Sequence, residues 1–428
     1  MGFPLQIKYY NTYVLKKIAD STPDRNWYVE ESRIRGGYNN VQTGLSPRAF
    51  LVSENNAQEN LSNSIIYSGI FNSRTGINQS NQFPSGQDIT RTVDPSKGSI
   101  QKLYAENTNL TIFQERKVNR ALIDKDAVYT QEGVPMQTTS NVVIGAIQPY
   151  AGEFGISTNP ESFAVYGYRK YFTDAKQGSV LRLSQDGITE ISNYGMYDFF
   201  RDQFGILEAG KAIGGYDIYN KAYVLALQTS TSGSPITVTF DEQVLGWTST
   251  LSYIPRQMFS IQNNFFSTKN GSLYKHYVEF NNSGGVLPRA NFYGVQYDST
   301  VTSIFNKQPS AIKSFKTINY EGGINWAMTS ISTDSGDTAR FIDAYTMPLT
   351  LADLENSLFS NEFKKKEDKY FANLVNTSAD SSGEVVYGAS ISGIKGYTAK
   401  VKFTATNTKD TGNNELFAIS TEFKESSY

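Results

Sequence analysis

A hairpin recurs along the middle of this chain: an aromatic strand, a turn built from Gly or Asn, and a returning strand. It reads LYAENTNLTIFQERKVNRALI at 103–123, YFTDAKQGSVLRL at 171–183, YDIYNKAYVLAL at 216–227 and FFSTKNGSLYK at 265–275. The aromatics before the turns, Tyr104, Tyr171, Tyr219 and Phe266, are separated by steps of 67, 48 and 47 residues. A period of about 40–50 residues with several short strands per unit is the pattern of propeller blades, because one small sheet cannot bury both of its faces alone. The expected fold is therefore mostly β, with a β-propeller-like central domain; an irregular β-sandwich is the alternative. The second hairpin continues into another turn at Asp186-Gly187, giving strand, turn, strand, turn, strand over 171–192. Gly178 and Gly187 are expected at positive φ in those turns, so valine at either position is expected to impair folding.

Composition supports the β reading. The chain of 428 residues holds 28 Tyr, 26 Phe and 3 Trp, which suit pleated half-buried surfaces. Its Asn, Gly, Ser and Asp supply the turns. Tyrosine also suits subunit contacts, since each ring offers apolar area with one polar handle.

The texture changes along the chain and predicts three regions. Residues 1–62 combine a strand or short helix over Tyr9–Ile18 with Gly- and Asn-rich sequence, which reads as an arm or docking segment. Residues 63–316 form the propeller-like domain. Residues 317–428, where the hairpin period fades, form a smaller β-rich domain containing the alternating runs EVVYGASISG and YTAKVKFTATNT. Leu351–Phe363 has helical acid and apolar spacing.

The residue inventory excludes several chemistries. The chain has no Cys, so thiolate catalysis, zinc-thiolate sites and disulfides are absent. With His276 as its one histidine, it lacks material for a multi-histidine metal centre, and a Ser-His-Asp triad has a single candidate. Net charge of −2 points to no nucleic-acid partner and no anionic membrane surface. No stretch approaches the roughly 20 apolar residues of a spanning helix, and the N-terminus shows no apolar signal core, so a soluble, non-exported protein is expected.

Individual motifs favour structure over chemistry. Asp186-Gly187 resembles the Asp-box turn of sialidase-like propellers but lacks its aromatic, and even a complete Asp box is a turn. Glu30-Glu31, Asp124 with Asp126, and Glu367-Asp368 offer carboxylate pairs of the kind glycosidases use, yet 41 acidic residues generate such pairs on solvated surfaces by chance. Asp334-Ser-Gly-Asp337 lacks the further oxygen ligands of a calcium loop. Lys364-Lys-Lys366 reads as a solvated face, and His276 as a packing residue. Gly36-Gly37 has no phosphate-loop spacing. Arg33 and Arg35 alternate and would share one strand face, suited to pairing with acids of a neighbouring subunit. Arg169 and Arg182 flank a turn and suit inter-strand or inter-subunit pairing. No cofactor or metal is expected.

Longer strings carry a resemblance. RNWYVEESRIRGGYNN (25–40), IYSGIFNSRTGIN (66–78), FAVYGYRKYFTDAKQGSVLRLSQDGITEISNYGM (163–196), GWTSTLSYIPRQMFSIQNNFFSTKNGSLYKHY (246–277) and KKEDKYFANL (365–374) resemble virion structural proteins of large tailed bacteriophages. The resemblance is to tail and neck proteins of crAss-like podoviruses and to structural proteins of T4-like marine phages. The fourth string is also similar to the propeller segment of podovirus tail-nozzle proteins. The chain is shorter than those nozzle proteins, which leaves collar, tail-end and baseplate positions open.

The resemblance implies a structural subunit of a tail or neck in the virion, contacting other tail and neck proteins and a homo-oligomeric ring of about six copies. The alternative is a tail module that binds host-surface glycans or a receptor by stacking sugar rings on an exposed cluster of Trp247, Tyr253 and Phe259. A glycan hydrolase is the third reading; no enzymatic activity is expected.

Overall fold

The computed structural model describes residues 12–16, 27–31, 61–106 with short breaks, 109–129, 135–207, 211–228, 235–280, 284–345, 361–377, 393–406 and 414–426. Side chains of 124–142 and of the first two strands lie outside the description. The protein is mostly β, arranged in several sheets, none of which closes on itself. Thr12–Lys16 is a strand and pairs antiparallel with Trp27–Glu31. Residues 351–360 and most of EVVYGASISG lie outside the described residues, and the YTAKVKFTATNT run supplies the strand Ala399–Ala405. Among the described residues no helix is long and apolar enough to cross a membrane.

Backbone contacts divide the chain into two compact units, Met1–Leu273 and Tyr274–Tyr428. In the first, three four-stranded antiparallel meanders follow one another, each with its strands in sequence order. The first comprises Ile100–Ala105, Asn109–Gln114, Val118–Tyr129 and Pro135–Pro149. Ala164–Tyr166, Arg169–Asp174, Ser179–Ser184 and Gly187–Glu190 make the second. Lys211–Asp217, Ala222–Gln228, Ile236–Asp241 and Gly246–Leu251 make the third.

The core of this unit lies between successive meanders. Phe113 meets Phe172 at 5.1 Å between ring centres, joining the first to the second. Tyrosines join the second to the third: Tyr166 stacks on Tyr216 at 4.1 Å, and Tyr171 stacks on Tyr223 at 4.9 Å. Strand Ala222–Gln228 is buried from Ala222 to Leu227, because its two faces are covered by different neighbours. Such a strand reads as an unbroken apolar run rather than an alternation.

Three hairpin turns of this unit share one device. Asp174, Asp217 and Asp241 end their strands, and each carboxylate accepts hydrogen bonds from backbone N–H groups two or three residues on. Four residues after each aspartate the chain enters positive φ, at Gly178 (73°), Lys221 (55°) and Leu245 (52°). The carboxylate satisfies turn amides that no strand can reach, and the left-handed residue returns the chain to its ladder.

Two predictions follow from these turns. Gly178→Val is expected to destabilise by about 2 kcal/mol or more, since a Cβ there sits 3.1 Å from the Arg201 backbone at unfavourable φ. Gly187→Val, at φ 104° with open space around it, should cost less, and urea midpoints of the two variants give the comparison. Exposed Lys221→Gly should instead stabilise by about 1 kcal/mol, by relieving left-handed strain, read as a higher melting temperature.

The second unit is built on two sheets around one core. Ser299–Phe305, Ala399–Ala405 and Trp326–Thr333 form one sheet in that spatial order. The other is organised on Lys313–Gly322, paired with Lys369–Asn373, Ile394–Gly396 and Leu416–Glu425, and Lys364–Lys366 extends it at one edge. Phe315, Ile318, Tyr320, Met328, Val401 and Phe403 fill the space between the sheets. Lys313 is fully buried; its ammonium donates to the carbonyls of Gln308 (2.8 Å) and Ala311 (3.1 Å) and lies over the Phe423 ring.

Candidate functional site

The residues singled out in the sequence do not converge on one surface. Arg33 and Arg35 lie outside the described residues. Arg169 is exposed at the start of the inner strand Arg169–Asp174 of the second meander, opposite Tyr166. Trp247 is half-buried: its indole N–H donates to the Ile191 carbonyl at 3.0 Å, and its ring packs on Phe200 and Phe240 at 4.5 and 5.3 Å. Tyr253 is 2% exposed, and Phe259 stacks on Phe266 across its own hairpin at 5.8 Å. These three aromatics serve separate packing tasks in the first unit, and none offers an open ring platform with the others.

Arg182 has the most developed surroundings. Its Nη1 pairs with Glu242 at 2.9 Å, and Glu242 also accepts the Tyr171 hydroxyl at 2.7 Å. The side chains of Arg182 and Glu242 are 14% and 9% exposed, so the pair is largely removed from solvent. The geometry follows from register: Tyr171 lies directly across from Arg182 in the second meander, and Glu242 projects from the turn after Ile236–Asp241 in the third. Burial, reinforced by the hydrogen bond to Glu242, raises the Tyr171 phenol well above its usual range. A phenol held protonated, and a carboxylate held by two donors, make a clasp between sheets and offer neither a free base nor a free acid. Glu242 was not singled out in the sequence, because one carboxylate among 41 acidic residues carries no local mark.

A polar cleft of about 400 Å³ is lined by Ser96, Lys97, Arg116, Glu153, Asp174, Lys176 and Gln177. Its charges are largely spent on one another. Glu153 accepts Lys97 (2.5 Å) and Lys117 (3.1 Å), and Lys176 reaches Glu115 at 2.6 Å. The Lys176 hydrogen bond, with a second from Ser99, lowers the Glu115 carboxyl to about 2. Asp174 is taken up by the Gly155 amide, the Ser157 hydroxyl and its own turn.

The remaining sequence candidates are mostly engaged in structure. Asp186 accepts the Ser184 hydroxyl and pairs with Arg182. Asp334 accepts the Thr398 amide at 2.8 Å, and Asp337 accepts the Lys395 amide at 2.9 Å, so this pair ties two strands of the second unit. Glu367 and Asp368, at φ 50° and 61°, form the tight turn after Lys364–Lys366. The side chains of Glu30, Glu31, Asp124 and Asp126 lie outside the description.

His276 is half-buried near Phe292 and Tyr277, and burial lowers its imidazole to about 4. The unfolded chain binds the proton below about pH 6.5, whereas the folded protein resists it until about pH 4. This contribution to stability is complete above pH 6.5 and declines as pH falls towards 4, by on the order of 2–3 kcal/mol. Urea midpoints at pH 7.5 and 4.5 should therefore fall further for the natural protein than for His276→Gln.

Residues 288–377 match the Crassvirus muzzle protein C-terminal domain. The match covers the strand Ser299–Phe305, the central strand Lys313–Gly322 and the Lys364–Asn373 hairpin of the second unit. It supports a structural role in a crAss-like phage, and with it a place in the virion among other virion proteins. No curated protein matches the chain. Among solved structures, sucrose-6-phosphate hydrolase from Lactobacillus gasseri aligns at 10% identity over 74% of this chain and 81% of its own, with a TM-score of 0.20. Exo-beta-1,3-galactanase from Phanerochaete chrysosporium with galactose aligns at 8% identity over 84% of this chain and all of its own, with a TM-score of 0.19. At these scores neither carries an argument about fold or activity.

Proposed function

We propose that this protein is a non-enzymatic structural subunit of a crAss-like phage tail or neck, making protein contacts in a symmetric ring. The observation that carries this reading is the match of residues 288–377 to a domain of a phage virion protein. The first unit fits a rigid spacer: three meanders follow in sequence and pack on one another through aromatic rings, the way blades of a β-propeller do. Internal placement of Trp247 and Tyr253 favours this role over glycan stacking.

The test is quantitative mass spectrometry of purified virions of the encoding phage, with the portal and major capsid proteins as internal standards. A fixed copy number near about six or twelve per particle is expected for a ring component. Absence of the chain from the particle overturns the proposal and turns attention to glycan binding.

A further inference from the structure

Strands from the end of the chain complete both sheets of the second unit. In the first sheet, Ser299–Phe305 and Trp326–Thr333 do not pair with each other: Ala399–Ala405 stands between them, antiparallel to both. Its sequence AKVKFTA alternates as a strand with one packed face requires. Ala399, Val401, Phe403 and Ala405 are fully buried, while Lys400 and Lys402 are exposed. Phe403 lies in the core between the sheets, where its ring meets those of Tyr320 and Phe363 at 5.7 and 5.8 Å between centres.

The second sheet depends on the same stretch. Ile394–Gly396 and Leu416–Glu425 both pair with Lys313–Gly322, and Phe423 packs on Phe315 at 5.9 Å. Polar ties join the same two parts of the chain. The Trp326 indole donates to the Glu415 carbonyl at 3.1 Å, and Asp334 and Asp337 accept the Thr398 and Lys395 amides.

The family match ends at residue 377, so it includes both neighbours of Ala399–Ala405 and leaves out that strand itself. Ser299–Phe305 and its ladder partner are roughly a hundred residues apart along the chain, so the entropy of a long loop must be met before this ladder forms.

We infer that residues 394–425 are a strap on which the folding of the second unit depends, and that the matched domain is incomplete in this chain without it. The strap is held by strand pairing and by its buried face, so it keeps its place when the covalent link to it is cut. Contacts that the protein makes through this unit then await the docking of the strap. The inference goes beyond the ring reading and holds with or without a ring.

The test starts from the full chain, with the recognition site of a specific protease inserted between Ser382 and Gly383 and cut after folding. Fragment 383–428 is expected to co-elute with 1–382 in size exclusion and to separate from it in urea. Returned to buffer alone, 1–382 should exchange the amides of Trp326–Thr333 about a hundredfold or more faster than the uncut protein, with those of Ala222–Gln228 in the first unit unchanged. Adding back the fragment should restore protection. A fragment carrying Val401→Asp and Phe403→Asp should fail to do so, and one carrying Lys400→Ser and Lys402→Ser should succeed, because the first two side chains are buried and the lysines are not. Full protection of Trp326–Thr333 in 1–382 alone, restoration by the aspartate fragment, or a native fragment that restores nothing each overturns the inference. Virion copy number is a separate measurement, so failure of the ring reading is distinguishable from failure of the strap.

Discussion

Gly214→Ala is expected to destabilise the first unit by about 3–5 kcal/mol, enough to leave little folded protein at physiological temperature. Gly214 and Gly215 lie in strand Lys211–Asp217, which is pressed between neighbours on both faces. A Cβ on Gly214 would stand 1.9 Å from the Ser162 carbonyl oxygen and 2.9 Å from the Tyr223 hydroxyl, far inside contact distance. The obstacle is backbone, so no rotamer change relieves it. Pushing the strand away also breaks the buried hydrogen bond that Tyr223 donates to the Ser162 carbonyl at 2.8 Å, leaving both groups unsatisfied. Gly205→Ala is the control: nothing lies within 4 Å of its Cβ position, and a change within about 0.5 kcal/mol is expected. Thermal denaturation of the two variants checks the contrast; similar melting temperatures would contradict the close approach of strand and turn.

The second large effect concerns the clasp between the second and third meanders. Glu242→Ala is expected to cost about 3 kcal/mol, because it leaves a guanidinium that is 14% exposed with only the solvent-exposed Asp186, at 3.4 Å, as ion-pair partner and takes the acceptor from a fully buried phenol. The loss lies mainly in the charge left behind. Arg182→Met with Glu242→Gln should therefore be less damaging than the sum of the single changes, with a coupling of about 1–3 kcal/mol. Additive losses in the double-mutant cycle would show that Arg182 and Glu242 act independently. A solvated pair of the same geometry would contribute under about 1 kcal/mol, so burial makes the difference measurable.

Much of the first unit was legible in the sequence. The hairpins at Tyr104, Tyr171 and Tyr219 are strand pairs in the structure, and Gly178 and Gly187 both take positive φ as their turns require. Such features are local, since turn chemistry and alternation act within a few residues. Lys221 and Leu245 escaped the same reading, because neither residue type announces a left-handed turn; their aspartates four residues earlier are the better mark. Trp247 and Tyr253 look like surface aromatics in a Ser- and Thr-rich stretch; in the folded unit Trp247 is half-buried against Phe200, Phe240 and the Ile191 carbonyl, and Tyr253 is buried.

Composition, turn residues and strand periodicity by themselves determined that this chain is a β protein without thiol chemistry, built from short hairpins of about fifty residues per unit. Only the tertiary structure decided which faces meet, and so which residues matter. Tyr171, Arg182 and Glu242 are 11 and 60 residues apart along the chain and become one clasp when two sheets stack. The same holds for Ser299–Phe305, an ordinary strand in the sequence, whose ladder partner Ala399–Ala405 comes from far along the chain. Partnership between distant segments is set by the packing of whole sheets, and no local pattern of residues encodes it.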